Sequence, residues 1–272
     1  MVYSNRGEIV RFLYLIVSTM VWGVSLGGLL FKSKRVVLCY HGITDQDAAA
    51  FRRQIAQIAP RVVALENDHS EQASSVLPSI VLTFDDAFEN VLTNVIPVIE
   101  DYQIPISIYV VTDYLGGKPA WLKNTGHHDE HERLMTKEQI TELAKNPLIS
   151  IGSHTHTHPS LTTLNAESLE NELKDSKEIL EALITQKVTV LAFPHGAFNA
   201  EVSNVATRCG LTHLLTLEEK LLDNTQSQGK MGRFIMEPSV WPIEFRLTVA
   251  GSYAWLFYFR HLIKVLKKGL GK

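Results

Sequence analysis

An aspartate pair, Asp85-Asp86, closes the apolar run at residues 79–84, and two histidines, His154 and His158, follow a second apolar run at 148–153. Two carboxylates and two imidazoles are the donors a hydrolytic metal site needs: three ligands to hold an ion and one acid left over to move a proton. Roughly seventy residues separate the two pairs, so only the fold can bring them together. Each pair sits where a buried strand would surface. The reading is a metal-dependent hydrolase.

The elements that must position these residues alternate. Runs at 35–40, 80–84, 106–111, 149–153 and 188–193, with shorter ones near 213–217 and 233–237, read as strands. Helices are expected at 48–58, stopped by Pro60, at 89–102 despite Pro97, and at 168–183 and 200–209. Another is expected at 137–145, where Thr136 and Gln139 form a capping-box pattern. β-branched runs with little polar alternation indicate strands buried on both faces, and the alternation of β and α units implies a parallel sheet closed into a barrel. His41, Asp85-Asp86, His154 and Pro194-His195 each stand just beyond the C-terminal end of an expected strand. In (β/α) barrels that rim carries the active site.

With 272 residues, 45% hydrophobic and 20% charged, the chain can bury one sizeable α/β core. A formal net charge of −3 supplies no global positive field for nucleic acid. Cys39, in an apolar run, and Cys209, in an expected helix, read as buried free thiols rather than a disulfide. Residues 12–31 are twenty residues without a charge, long enough to cross a bilayer as one helix. We read them as an uncleaved N-terminal anchor; a helix lying along the membrane or packed on the domain is the alternative, and flanking Arg6, Arg11, Lys32, Lys34 and Arg35 leave its orientation open. From Tyr253 on, Trp255, Leu256, Phe259, Leu262, Ile263, Leu266 and Leu270 share one helical face, and Arg260, Lys264, Lys267 and Lys268 the other. That suits an anionic membrane surface or, equally, packing on the core with a solvated basic face. The expected organisation is an anchor at 1–34, a catalytic domain at 35–247 and an amphipathic tail at 248–272, on a membrane-associated protein of the inner (cytoplasmic) membrane.

These residues resemble a known family. Thr83-Phe84-Asp85-Asp86 matches the T-F-D-D motif of polysaccharide deacetylases (carbohydrate esterase family 4), and His154 to Pro159 matches their H-[ST]-x-x-H-P motif. Ala192-Phe193-Pro194-His195-Gly196 looks like their third motif, with His195 where tyrosine is usual. Leu38-Cys39-Tyr40-His41 is similar to the strand of the circularly permuted branch that includes poly-N-acetylglucosamine deacetylases, where the acid histidine precedes the aspartate pair.

The resemblance implies an irregular seven- to eight-stranded (β/α) barrel of the deacetylase type. It implies a metal held by Asp86, His154 and His158, with Zn²⁺ expected and Co²⁺ or Ni²⁺ acceptable. It makes Asp85 the base and His41 an acid kept cationic by nearby carboxylates. His156 is then a bystander. No arginine precedes the proline of the third motif, and Arg233 is the candidate to orient Asp85 in its place. The backbone N–H of His195 is the oxyanion candidate, and Trp121 and Trp241 are candidates to line a sugar groove. The expected substrate is an N-acetylated envelope or exopolysaccharide glycan. A lipid-linked sugar at the membrane and a silent glycan-binding module are the alternatives; a two-metal phosphatase lacks its further ligands. The stretch His127-His128-Asp129-Glu130-His131 looks like a second metal cluster, but its polar setting reads as solvated loop.

Overall fold

The structure, a computed structural model, describes residues 8–66, 77–226 and 228–269. Six parallel strands stand side by side in chain order: β1 (Lys34–Tyr40), β2 (Ser79–Phe84), β3 (Ile106–Val110), β4 (Ile149–Ser153), β5 (Val190–Ala192) and β6 (His213–Leu215). A two-residue strand, β7 (Leu222–Asp223), pairs antiparallel with the start of β1. β8 (Gly229–Met231) lies parallel to β6, and β9 (Phe234–Ile235) parallel to β1. Only Gly232 and Arg233 separate β8 from β9, so one short segment reaches both edges and nearly closes a barrel. Gly232 sits at that crossing because a Cβ there would collide with the Glu218 carbonyl.

β2, β3, β5 and β6 are buried on both faces throughout, as is β1 after Lys34, and successive residues enter different cores. Val37, Val81, Tyr109, Ala192 and Leu215 pack with one another inside the barrel. Their neighbours Leu38, Leu82, Ile108 and Leu191 pack outward with helix residues such as Phe51, Ile55, Leu173 and Leu180. Gly152 leaves the interior to Tyr109, whose ring would stand 2.7 Å from a Cβ at that position. The outer layer comprises α2 (Ala48–Ile58), α3 (Asn90–Asn94), α4 (Ile96–Tyr102), α5 (Lys137–Leu143), α6 (Ala166–Ile184), α7 (Ala200–Arg208) and α8 (Pro242–Val249). The expected helix at 89–102 is therefore two: the chain breaks at Val95, and Pro97, which has no N–H to donate, falls in the first turn of α4. At α5 both halves of the capping box form, Gln139 N–H donating to Thr136 Oγ1 at 3.3 Å and Thr136 N–H to Gln139 Oε1 at 2.7 Å.

The two ends of the chain meet each other. The expected single helix over 12–31 is not formed: α1 spans Glu8–Val24, and the chain then turns through Leu26, Gly27 and Gly28, all at positive φ. No described helix is long and apolar enough to cross a membrane. Instead α1 packs on the domain. Arg11 forks onto Glu244 of α8 and stacks over Trp241, and Tyr14 and Ser18 meet Trp255 of α9 (Trp255–Gly269). Along α9 Leu256 is buried, while Tyr258, Phe259, Leu262, Val265 and Leu266 are exposed. The side chains of Lys264, Lys267 and Lys268, and Leu270 entirely, lie outside the described residues.

Candidate active site

Register carries the chemical residues to the barrel rim. Asp85 N–H donates to the Tyr40 carbonyl at 2.9 Å and His154 N–H to the Val110 carbonyl at 2.9 Å, so each extends a parallel ladder one step past its strand. The chain then turns sharply. Asp86 and Ala87 have φ of 70° and 57°, and Thr155 and His158 have φ of 70° and 62°, left-handed values that cost free energy in non-glycine residues. Neighbours hold both turns: Met135 N–H donates to the Ala87 carbonyl, and Glu172 of α6 accepts from the N–H groups of His156 and Thr157 at 3.0 and 2.9 Å.

These turns aim three donors at one point. Asp86 Oδ1 is 3.5 Å from His154 Nε2 and 3.6 Å from His158 Nε2. His154 Nδ1 lies 2.8 Å from the Ala192 carbonyl, which can only accept, so Nδ1 carries the proton and Nε2 presents its lone pair to Asp86. Asp86 Oδ1 is buried with no hydrogen-bond partner, a costly state that a cation would relieve. Burial, then the Asp85 and Asp129 charges, pushes the Asp86 carboxyl well up, while burial pushes both imidazoles down. A carboxylate and two neutral imidazoles around an orphaned oxygen fit a divalent ion. His156 is turned away, bonded to Thr112 at 2.9 Å.

Beside this trio lies the second carboxylate. Arg233, fully buried at the barrel closure, grips Asp85 with two bonds of 2.6 and 2.8 Å. Burial alone would raise the Asp85 carboxyl, but Arg233 and His154 outweigh it and hold it below the usual carboxylate range. Cys39 Sγ stands 3.3 Å from Asp85 Oδ2. His41, half-buried, shares a cluster with Cys39 and Asp85. The expectation of a cationic His41 fails here: burial outweighs Asp85 and takes the imidazole down to about 4, so it is neutral at rest.

A cleft of about 620 Å³ opens onto these groups. His195 borders it, exposed and at φ 58°, with its ring 4.8 Å from that of His158; the preceding Pro194 is buried. Trp121 stacks on His158 at 4.3 Å, so one of its faces is already used. Trp241 does not line the cleft; it starts α8 under Arg11. The stretch at 127–131 is not simply solvated loop, since Asp129 is 1% exposed and lines the cleft with His127 and His128. Glu172 is the position a motif reading passes over, while Cys39 is read there only as a buried thiol and Asp129 only as part of a solvated loop. Nothing local marks Glu172, which sits mid-helix sixteen residues from the backbone it holds.

A family model described as "Polysaccharide deacetylase" matches residues 75–214. Poly-beta-1,6-N-acetyl-D-glucosamine N-deacetylase of Staphylococcus epidermidis is 22% identical over 209 residues, 72% of this chain and 68% of its own length. The Staphylococcus aureus (strain MRSA252) protein of the same name is 25% identical over 166 residues, 58% of this chain and 54% of its own. YxkH of Bacillus subtilis is 27% identical over 161 residues, and the match takes in 59% of this chain and 52% of that protein. The chain thus spans about half to two thirds of these relatives. Among solved structures, Streptococcus pyogenes deacetylase PplD in complex with acetate shares the fold with a TM-score of 0.63 at 20% identity, covering 79% of this chain and 98% of that one. IcaB from Ammonifex degensii does so with 0.60 at 19%, covering 82% and 98%.

Proposed function

The chain belongs to the polysaccharide deacetylase family, and we propose that it is a metal-dependent hydrolase removing N-acetyl groups from N-acetylhexosamine residues of a bacterial envelope or exopolysaccharide glycan. One observation carries this reading: an orphaned Asp86 oxygen facing His154 and His158, with a separately anchored carboxylate at its side. The names of the Staphylococcus relatives support a poly-N-acetylglucosamine-like substrate.

A divalent ion held by Asp86, His154 and His158, Zn²⁺ first on this donor set and Co²⁺ or Ni²⁺ acceptable, would polarise the amide carbonyl and acidify a water. Asp85 takes the proton of the attacking water, and Arg233 keeps that carboxylate ionised and aimed. His41, neutral at rest beside Asp85, receives that proton from Asp85 and delivers it to the amine nitrogen as the C–N bond breaks. The His195 backbone N–H is the donor for the developing oxyanion. Trp121, backed by His158, forms a wall of the sugar subsite.

Asp85→Asn tests the assignment: acetate release from a panel of N-acetylated glycans should fall by about 10²–10⁴ while metal content stays at the wild-type level. Unchanged turnover would remove Asp85 as base. A wild-type protein that binds these glycans but releases no acetate would point to a binding module.

The protein is also proposed to lie on a membrane through α1 and α9, which would bring lipid-linked sugars within reach. Phe12, Leu13, Met20, Leu262, Val265 and Leu266 are each more than half exposed on these two adjoining helices. Leu262→Glu with Leu266→Glu should reduce partition onto anionic vesicles without lowering Tm; equal partition would remove α9 from the contact.

A further inference from the structure

We propose that His127, His128 and Asp129 form a second divalent-cation site on the wall of the same cleft. The inference does not depend on the reaction assigned to that cleft. The three residues occupy a single 3-10 turn, His128–His131 with His127 as its N-cap. His128 Nε2 is 3.3 Å and His127 Nδ1 3.7 Å from Asp129 Oδ2, and all three donor atoms lie within 4.8 Å of one another. Donors bound at about 2.1 Å to one ion stand at separations of this order.

The carboxylate is what distinguishes this turn from a chance surface cluster. The Asp129 side chain is 2% exposed, and its Oδ1 is buried with no hydrogen-bond partner. Among the described residues no lysine or arginine pairs with it, and the two imidazoles face its Oδ2. As the N-cap acceptor of this turn, His127 Nδ1 carries a lone pair rather than a proton. That lone pair now takes only a long 3.2 Å bond from the Asp129 N–H, which an ion would replace.

The turn is also prebuilt. Glu130 accepts from the Asn124 and Gly126 N–H groups at 2.6 and 3.0 Å, bracing the loop that leads back to Trp121. Two imidazoles and one carboxylate select a borderline ion such as Zn²⁺, Ni²⁺ or Co²⁺ over Mg²⁺ or Ca²⁺. With His128 57% exposed, this site is the weaker of the two, and open coordination positions face the cleft. An ion here would pin the turn that the Trp121 loop leads into and meet sugar hydroxyls.

The test is a Zn²⁺ titration of the chelator-stripped full chain by calorimetry, with elemental analysis of the loaded protein. Wild type should bind two ions in a tight and a weaker step. His128→Gln, at an exposed position, should weaken the second step at least tenfold, the loss that follows even from removing a partner of a ligand, and keep the first. His154→Ala should lose the first and keep the second. One ion in wild type, or a second step unmoved by both His128→Gln and Asp129→Asn, would overturn the proposal.

Discussion

Two sets of two imidazoles and one carboxylate line the same cleft, and they are built in opposite ways. Asp86, His154 and His158 come from two chain segments far apart in sequence, and the ends of β2 and β4, with β3 between them, place them. Buried ladders, the Ala192 carbonyl and Glu172 fix their rotations. His127, His128 and Asp129 are consecutive, and one short turn braced by Glu130 places them. The first arrangement has every donor buried; the second buries only its carboxylate. Sequence proximity makes a cluster easy to see, whereas a rigid sheet makes one precise enough for chemistry.

The largest expected contrast follows from removing a ligand. His158→Ala should abolish acetate release, because it empties the strand-end site and removes the surface on which Trp121 stacks. Appreciable release with full metal content would dissolve the distinction between the two sets. Next comes Arg233→Met, which strands the buried Asp85 charge. Chemical denaturation near neutral pH should show a loss of about 3–5 kcal/mol. The Asp85 carboxyl is depressed in the folded protein, so its stabilisation is present above the unfolded value of about 4 and is lost as pH falls below it. The gap between variant and wild type should therefore narrow in acid, and a gap independent of pH would detach Arg233 from the ionisation of Asp85.

The smallest effect belongs to the turn. In chelated protein the Asp129 carboxyl is raised to about 6, so ionising it opposes folding. The penalty grows from the unfolded value of about 4 and is complete above the folded one. Asp129→Asn should gain about 1–3 kcal/mol at pH 8 and nothing below pH 4, and added Zn²⁺ should reverse the order. A stability difference that is flat with pH would show that the carboxyl carries no such strain.

The parts readable in advance are those where local pattern and burial agree. Unbroken apolar runs, each ended by His41, Asp85-Asp86 or His154, announce strands buried on both faces with polar residues at one rim. Thr136 and Gln139 mark a helix start because their bonds are local. Where distant contacts decide, pattern fails. Twenty uncharged residues suggest one continuous span, yet the left-handed turn at Leu26–Gly28 stops α1 and the domain claims its face. Trp241 is placed by Arg11, more than two hundred residues away, and leaves the cleft. The His127–His131 stretch looks wet in one dimension, and only its packing shows Asp129 to be buried.

The amino-acid order by itself determined the inventory: which acids and imidazoles exist, which strand each one ends, and the spacing that links this chain to a family. The tertiary structure decided the states of those groups. Closing the barrel set Arg233 against Asp85 and kept it charged, while burial left His41 neutral and Asp86 Oδ1 without a hydrogen-bond partner. Charge and solvation depend on what surrounds a group in space, and for a residue at a barrel rim most of those surroundings come from elsewhere in the chain.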